Sequence, residues 1–140
     1  MRVALLTPPV PEKGRSIIRD LLFGCWCKGR RIANAQAPPL SELYVATVLQ
    51  ESGHQVSLID AAGEGKNIAQ VIKALAKLDA ELVVLNSATM SWREDTDFCQ
   101  SIRQEINVKT AFFGQHPTFF PYHALQNDAA DFIIQYEPEY

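Results

Sequence analysis

The segment ELVVLNS, Glu81–Ser87, decides the fold class of this chain of 140 residues. Its apolar residues are continuous, which is typical of a β-strand covered on both faces of a parallel sheet. Four other runs have the same character: RVALLT, QVSLIDA, KTAFFG and DFIIQY, which span Arg2–Thr7, Gln55–Ala61, Lys109–Gly114 and Asp131–Tyr136. The sequence therefore predicts five strands of one parallel sheet.

Segments with helical spacing of apolar residues separate these runs. The first is predicted to begin with Ser41 as its N-cap and to end before Gly53, a residue type common just after a helix. A short last helix is predicted around residues 121–127. The buried stripes expected on the three longer helices are Leu40, Leu43, Tyr44, Thr47 and Val48; Ile68, Val71, Ile72, Leu75 and Leu78; and Phe98, Ile102 and Ile106.

Strands that alternate with helices predict an α/β domain with a doubly wound parallel sheet, flavodoxin-like or Rossmann-like, because crossover connections are right-handed. The expected strand order is 2-1-3-4-5. Ligands of such domains bind at the carboxyl ends of the strands, near the switch point between strands 1 and 3. The candidate loops at that edge begin at Pro8 or span Ala61–Gly65, Ser87–Trp92, Gly114–Pro121 and Glu137–Tyr140.

A long insertion follows the first strand, at about residues 8–39, whereas loops have a median length of about 4–6 residues. Helical spacing over Ser16–Phe23 predicts a short helix within it. The insertion is rich in positive charge, which favours either a solvated loop or a patch for anionic cofactor groups or an acidic domain. Seven of the 13 basic residues lie in the first 31 positions: Arg2, Lys13, Arg15, Arg19, Lys28, Arg30 and Arg31.

Composition limits the class of protein. A chain of 140 residues that is 47% hydrophobic and 21% charged is typical of one globular domain. The net charge of −3 provides no electrostatic basis for binding nucleic acid, and no apolar stretch approaches the ~20 residues of a membrane span. Three cysteines without a disulfide pattern favour a reducing compartment, so we expect a cytoplasmic protein.

Several common site chemistries are excluded by their motifs. Phosphate-binding glycine loops are absent, and prolines in TPPVPEKGRS remove the backbone N–H groups such a loop needs. Thr7 and Asn86 stand where a response regulator would carry acids. The pair Cys25 and Cys27 lacks zinc-ligand spacing and is interpreted as two incidental thiols, and Cys99 as a core residue.

The strand ends offer polar and small residues but no acid–base pair. Asp60 is expected either to bind a ribose hydroxyl or to cap a turn. Ser87, Ala88 and Thr89 supply hydroxyl groups without bulk, and Gly114 lacks a Cβ atom. These features predict a slot that holds an extended polar ligand tail.

Four motifs in the same order resemble the cobalamin-binding domains of B12-dependent radical SAM enzymes. APPLSELYVATVLQESGHQVSLIDA, Ala37–Ala61, looks like the family pattern P-P-L-x-L-x-Y-L-A-x-x-L-x-x-x-G-H-x-V-x-x-x-D-A. TPP at Thr7–Pro9 is similar to the exit of the first family strand. GQHPTFFP at Gly114–Pro121 and YEPEY at Tyr136–Tyr140 resemble G-G-x-H-x-T-x-x-P and G-E-x-E, with Gln115 and Tyr136 replacing glycines.

This resemblance implies a cobalamin whose corrin ring lies over the carboxyl ends of the strands and whose nucleotide tail enters the sheet edge. No residue is expected to be catalytic and none to bind a metal. Together with Asp60, the expected cofactor-binding residues are Thr7, Pro8, Pro9, Ser87, Ala88, Thr89, Gly114, Gln115, His116, Pro117, Thr118, Tyr136 and Glu137.

The resemblance also implies a cobalt ion without a histidine ligand. The D-x-H-x-x-G motif of methionine synthase-like domains is absent, and no histidine lies between Thr7 and Gly53. His116 follows strand 4 instead, so it is expected to contact the tail or the corrin, or to be a structural loop residue. His54 and His123 are expected near the surface.

The chain lacks the C-x-x-x-C-x-x-C cluster motif of radical SAM domains. We therefore expect residues 1–140 to be a single cobalamin-binding domain, non-catalytic alone, from a longer methyltransferase or related enzyme. A radical SAM domain after residue 140 would bind S-adenosylmethionine and a [4Fe-4S] cluster. The alternatives are a docking module without a cofactor, acting through residues 8–39, and a nucleotide-binding enzyme using Asp60.

Overall fold

The computed structural model describes residues 1–10, 16–17, 28–29 and 38–138. Its seven strands are β1 (Arg2–Thr7), β2 (Ser16–Ile17), β3 (Lys28–Gly29), β4 (Gln55–Asp60), β5 (Leu82–Asn86), β6 (Lys109–Phe113) and β7 (Phe132–Ile133). Five form a parallel sheet in the order β4-β1-β5-β6-β7, while β2 and β3 pair separately as a short antiparallel ribbon. The predicted order 2-1-3-4-5 is confirmed.

The register of the sheet brings the strand ends to common levels. Thr7 pairs with Asp60 where β1 and β4 end, and Asn86 pairs with Phe113 where β5 and β6 end. The apolar runs of β1, β5 and β6 are buried on both sides, as their continuity predicts, with Leu5, Leu6 and Phe112 completely inaccessible. The edge strands β4 and β7 are only partly buried, because each has a neighbouring strand on one side only. The loops after β5 and β6 therefore leave the sheet side by side.

In the described part of the chain, five helices accompany the sheet: α1 (Leu40–Glu51), α2 (Ile68–Leu78), α3 (Trp92–Glu105), α4 (Gln115–Phe119) and α5 (Pro121–Leu125). One core cluster joins apolar residues of α2, α3 and α5 to one face of the sheet. A second cluster joins those of α1 to the opposite face. The sheet is thus doubly wound.

Helix α2 follows its predicted stripe in part, since Ile68, at its first position, is 42% exposed. Val71 and Leu75 are fully buried, and Asn67 and Gln70 cap each other's backbone N–H groups at the start of the helix. Cys99 of α3 is also fully buried, which confirms its predicted place in the core.

Helix α1 contradicts its predicted stripe. Leu40, Leu43 and Tyr44 are 40%, 40% and 66% exposed, whereas the helix buries Glu42, Val45 and Ala46. The helix is rotated relative to the prediction because short apolar residues, rather than the larger ones, pack on the strands around Leu5 and Val84. The predicted N-cap is also wrong, since Pro39 occupies that position without a side-chain bond. Gly53 does follow the helix, with a φ of +83°.

The other departures concern chain ends and loops. The predicted fifth strand contracts from Asp131–Tyr136 to two residues, since its backbone N–H bonds into the sheet end at Ile134. The predicted loop after β6 contains helix α4, and the last helix ends at Leu125. Ser16 and Ile17 lie in a strand rather than in the expected helix, and the rest of Ser16–Phe23 lies outside the described residues, as do Cys25 and Cys27.

Within the described part of the chain, no helix combines the length and apolar character that crossing a bilayer requires.

Candidate cofactor site

A cleft of about 320 Å³ opens at the carboxyl ends of β5 and β6, at the predicted edge of the sheet. The strand ends form the floor of the cleft. Its three walls are formed by α1, by α4 and by the segment after β7. Its lining residues are Ser41, Tyr44, Asn86, Ala88, Phe113, Gly114, Gln115, Thr118, Phe119, Tyr136, Glu137 and Pro138.

Gly114 joins the two strand ends that form the floor. Its φ is +103°, a conformation that side chains rarely adopt. A Cβ atom here would collide with Asn86 Oδ1 and lie 2.9 Å from the carbonyl oxygen of Ser87. The position that a Cβ atom of this residue would take is therefore occupied by the neighbouring strand end, while the glycine itself lines the cleft.

Backbone hydrogen bonds close this junction. The N–H of Ser87 donates to the carbonyl oxygen of Phe113 over 2.9 Å, and the N–H of His116 donates to the carbonyl oxygen of Ser87 over 3.3 Å. The loops after β5 and β6 are consequently held as one surface, which forms the floor of the cleft.

The hydroxyl group of Ser87 faces the interior of the domain. Ser87 and Asp95 are both fully buried, and Ser87 Oγ donates to Asp95 Oδ2 over 2.7 Å. A buried hydroxyl requires a partner of this kind, since leaving it without one costs about 1–3 kcal/mol. The next residue, Ala88, lines the cleft instead.

His116 lies behind the wall of the cleft, with only 5% of its surface exposed. Its Nδ1 is 3.3 Å from Thr89 Oγ1, and its Nε2 is 3.1 Å from His123 Nδ1. The ring stacks on Trp92 with centroids 4.5 Å apart. Burial lowers the pKa of His116, and the nearby His123 lowers it further, so the neutral ring is favoured.

Neither ring nitrogen of His116 is therefore free to bind a metal. Among the residues that the structure describes, no group of three or more His, Cys, Asp and Glu side chains could hold a metal ion. His54 lies at the opposite edge of the sheet, where its Nδ1 is 3.5 Å from the terminal amino group.

The ends of β1 and β4 contribute no lining residue to the cleft. Asp60 Oδ1 accepts a hydrogen bond of 2.8 Å from the N–H of Gly63, so it caps the turn after β4. Thr7 Oγ1 donates to Glu42 Oε1 over 3.5 Å, and Pro8 is fully buried.

The structure divides the predicted cofactor residues into three sets. Those that line the cleft are Ala88, Gly114, Gln115, Thr118, Tyr136 and Glu137. Those that lie around or behind its wall are Ser87, Thr89, His116 and Pro117, and those at the ends of β1 and β4 are Thr7, Pro8, Pro9 and Asp60. That each contacts a cofactor stays a prediction.

Sequence reasoning missed half of the lining residues. Asn86 and Phe113 end their strands, a position that could have marked them. Tyr44 was assigned to a buried stripe, and only the rotation of α1 places it on the cleft. The remaining missed residues are Ser41, Phe119 and Pro138.

The chemistry of the cleft suits part of a large, mostly flat ligand. Its volume is near the lower limit of ligand pockets, which is about 300 Å³. Tyr44 and Phe119 offer rings for stacking, and the amides of Asn86 and Gln115 offer both donors and acceptors. The mouth is open and aromatic, since Phe119 and Tyr136 are 73% and 74% exposed.

Comparison with known proteins shows the family to which this chain belongs. A family model described as "B12 binding domain" matches residues 32–140. An uncharacterized methyltransferase of Pyrococcus horikoshii is 31% identical over 94 residues, which cover 66% of this chain and 20% of that protein, and no solved structure matches. Because the family model covers most of the chain and the whole cleft, this protein belongs to the B12 binding domain family.

Proposed function

We propose that this chain is the cobalamin-binding module of a longer enzyme and that the cleft at β5 and β6 receives the nucleotide tail of cobalamin. The observation that carries the proposal is the position of the cleft, at the carboxyl ends of the strands in a B12 binding domain. A cleft of about 320 Å³ suits the tail, whereas the corrin ring would lie over the open mouth.

Different lining residues would contact different parts of cobalamin. Asn86 and Gln115 would exchange hydrogen bonds with polar groups of the tail, and Tyr44 and Phe119 would pack against its ring. The exposed Tyr136 would cover the apolar edge of the corrin. When bound, cobalamin supplies methyl-transfer or radical chemistry, and this chain contributes its binding and orientation.

We further propose that cobalt has no histidine ligand from this chain. The chain has three histidines, and the long segment between β1 and α1 contains none of them. His54 lies at the amino edge of the sheet, while His116 and His123 bond to each other. A cobalt ion without this ligand would favour methyl transfer by disfavouring six-coordination.

The parent protein is proposed to be a cytoplasmic B12-dependent radical SAM enzyme of the methyltransferase type. Two observations support this proposal: the four motifs that resemble such enzymes, and a relative named as a methyltransferase of which the matched part is one fifth. In this proposal residues 1–140 form one domain with its insertion at about 8–39. S-adenosylmethionine and a [4Fe-4S] cluster would be held by a further domain.

Equilibrium dialysis of the chain against hydroxocobalamin tests the binding proposal. We expect saturable binding at one site, with a changed visible spectrum of the bound corrinoid. The variant Gln115→Ala should bind more weakly, whereas His54→Gln, which alters the opposite edge, should bind as the wild type does. Absence of saturable binding at millimolar hydroxocobalamin would contradict the proposal.

The same experiment with ATP addresses the alternative of a nucleotide-binding enzyme. Asp60, the residue on which that alternative depends, caps a turn through Gly63 and does not line the cleft. We therefore expect no saturable binding of ATP. A docking module without a cofactor would bind neither ligand.

A further inference from the structure

The hydrogen-bonded unit Thr89, His116 and His123 links three separate segments beside the cleft. Thr89 belongs to the loop after β5, His116 to α4 and His123 to α5. Each bond joins a ring nitrogen of His116 to a different segment, over 3.3 Å and 3.1 Å. His116 is therefore the only member of this unit that touches both others.

Packing holds the His116 ring in one plane. It stacks on Trp92 of α3 at 4.5 Å and lies 5.3 Å from the ring of Phe120. Trp92 itself packs edge-on against Phe112 of β6. The ring is thus held between the core of the domain and the helices of the cleft wall.

The segments that His116 joins are those that carry lining residues. Ala88 precedes Thr89 directly, while Gln115, Thr118 and Phe119 share α4 with His116. The separation between Ala88 and α4 sets the width of the cleft on this side. A change at His116 is consequently transmitted to the cleft although the residue does not line it.

We propose that His116 is a positioning residue for cofactor binding, which fixes the cleft wall by tying α4 to the loop after β5 and to α5. This inference rests on the proposed binding of cobalamin in the cleft. It assigns His116 a role through Thr89 and His123 rather than through contact with cobalamin or cobalt.

Proton counting makes this role sensitive to pH. The bond between His116 Nε2 and His123 Nδ1 needs one proton on the line between the two nitrogens, and two neutral rings supply it when one facing nitrogen carries its proton and the other does not. One added proton leaves the bond intact, whereas a second places two N–H groups face to face and breaks it. His123 is the titratable group that contacts the ring among the described residues; Thr89, Trp92 and Phe120 complete its surroundings.

Burial lowers the pKa of His116, which agrees with this role because the neutral ring is kept as the pH falls below 6.5. The wall is therefore expected to hold through neutral pH and to loosen in acid. The affinity for cobalamin should follow the same course.

The test compares the dissociation constant of hydroxocobalamin for the wild type and four variants by equilibrium dialysis over a series of decreasing pH values that starts at pH 7.5. His116→Asn keeps a polar atom near Thr89 but cannot reach His123, and Thr89→Val removes the other partner at an exposed position. Each is expected to weaken binding about 3- to 10-fold at pH 7.5, since one hydrogen bond contributes about 0.5–1.5 kcal/mol. His54→Gln is the control that removes a histidine at the far edge.

Two readouts separate positioning from a general loss of stability. The effect of the double variant should depart from the product of the two single effects, because Thr89 and His116 belong to one hydrogen-bonded network. Affinity should fall as the pH is lowered from 7.5 in the wild type and in His54→Gln, but less in His116→Asn. Unfolding by urea, measured on the same samples, confirms that each variant is folded under the conditions of dialysis.

The outcomes are distinct. A wild-type chain that binds no hydroxocobalamin contradicts the proposed function itself. If the wild type binds, and if His116→Asn and Thr89→Val bind within twofold of it with the same pH dependence, the positioning role alone is overturned.

Discussion

The two edges of the parallel sheet are closed in different ways. At the amino edge, charged side chains tie the start of a strand to the segment before a neighbouring strand: Arg2 lies 3.0 Å from Asp79, and Lys109 lies 2.8 Å from Asp131. At the carboxyl edge, β5 and β6 are joined by backbone bonds around Gly114, and the residues that line the open cleft are uncharged apart from Glu137. In the proposed function, the amino edge serves stability and the carboxyl edge keeps groups available for a ligand.

Helices α1 and α2 also differ, both in how they are capped and in which apolar residues they bury. Helix α2 buries Val71 and Leu75 of its apolar stripe and begins with a reciprocal cap. Helix α1 begins without a side-chain cap and leaves Leu40, Leu43 and Tyr44 exposed, with Tyr44 on the cleft. A helix whose larger apolar residues face outward contributes less core than its composition suggests.

Replacement of Gly114 should have the largest effect, because it should lower both the free energy of unfolding and the affinity for hydroxocobalamin. Gly114→Ala combines a φ of +103° with a collision against the end of β5, so we expect a loss of about 2–4 kcal/mol in the free energy of unfolding. Hydroxocobalamin binding should be lost as well. Urea unfolding and equilibrium dialysis measure the two effects.

Gly53→Ala is the matched control at the amino edge. Gly53 has a similar φ of +83°, but a Cβ atom there would meet nothing within 4 Å. We expect a loss of about 1 kcal/mol and unchanged binding. Equal losses for the two variants would show that the collision at Gly114 is relieved without cost.

Asp131→Asn should lower the free energy of unfolding, because it removes a charge at the amino edge, without changing the binding of hydroxocobalamin. Asp131 contacts Lys109 and Arg103 and accepts from the N–H of Thr110, with its side chain only 13% exposed. The substitution should cost about 1–2 kcal/mol, because it removes the charge from these bonds. A reduced affinity for hydroxocobalamin in this variant would contradict the separation of the two edges.

The effect of Asp131 should also depend on pH. Burial raises the pKa of this carboxyl group, but the bonds from Lys109 and Thr110 and the charge of Arg103 outweigh it, so the pKa lies below 3.8. A lowered carboxyl pKa stabilises the fold above pH 3.8, and this contribution is lost as the pH falls through the folded pKa. Urea unfolding of wild type and Asp131→Asn should therefore converge between pH 5 and pH 2.

Tyr44→Ala should leave the free energy of unfolding nearly unchanged and should weaken only the binding of hydroxocobalamin. The side chain is 66% exposed, so we expect a change within about 0.5 kcal/mol in the free energy of unfolding. Loss of a stacking surface should weaken hydroxocobalamin binding about 3- to 10-fold, since an aromatic contact contributes about 0.5–1.5 kcal/mol. Leu43→Ala, one residue earlier and outside the cleft lining, provides the control.

The strand runs were readable from sequence because burial on both faces requires continuous apolar residues. Leu82–Asn86 and Lys109–Phe113 lie within one or two residues of their predicted bounds. The stripe of α1 was not readable, because apolar spacing does not reveal which of two adjacent faces packs on the sheet when small residues such as Ala46 can fill the contact.

The candidate site could be located from sequence more easily than it could be resolved into residues. Gly114, Gln115 and Thr118 were placed on the correct edge and line the cleft. Ser87 was expected to bind the cofactor, and His116 was expected either to contact it or to be a structural loop residue. In the structure Ser87 donates to Asp95, and His116 bonds to Thr89 and His123, while contact of either residue with a cofactor stays a prediction.

Alternating apolar runs and helices by themselves determined a doubly wound sheet, its strand order and the edge at which the cleft opens, because right-handed crossovers leave few arrangements. Only the tertiary structure decided which polar groups at that edge remain available. Asp95, the partner of Ser87, lies 8 positions away in the sequence, and Thr89 lies 27 positions from His116. Folding brings each pair together, and the hydrogen bonds that form occupy these polar groups. What is left open is the cleft between Tyr44, Asn86 and Gln115.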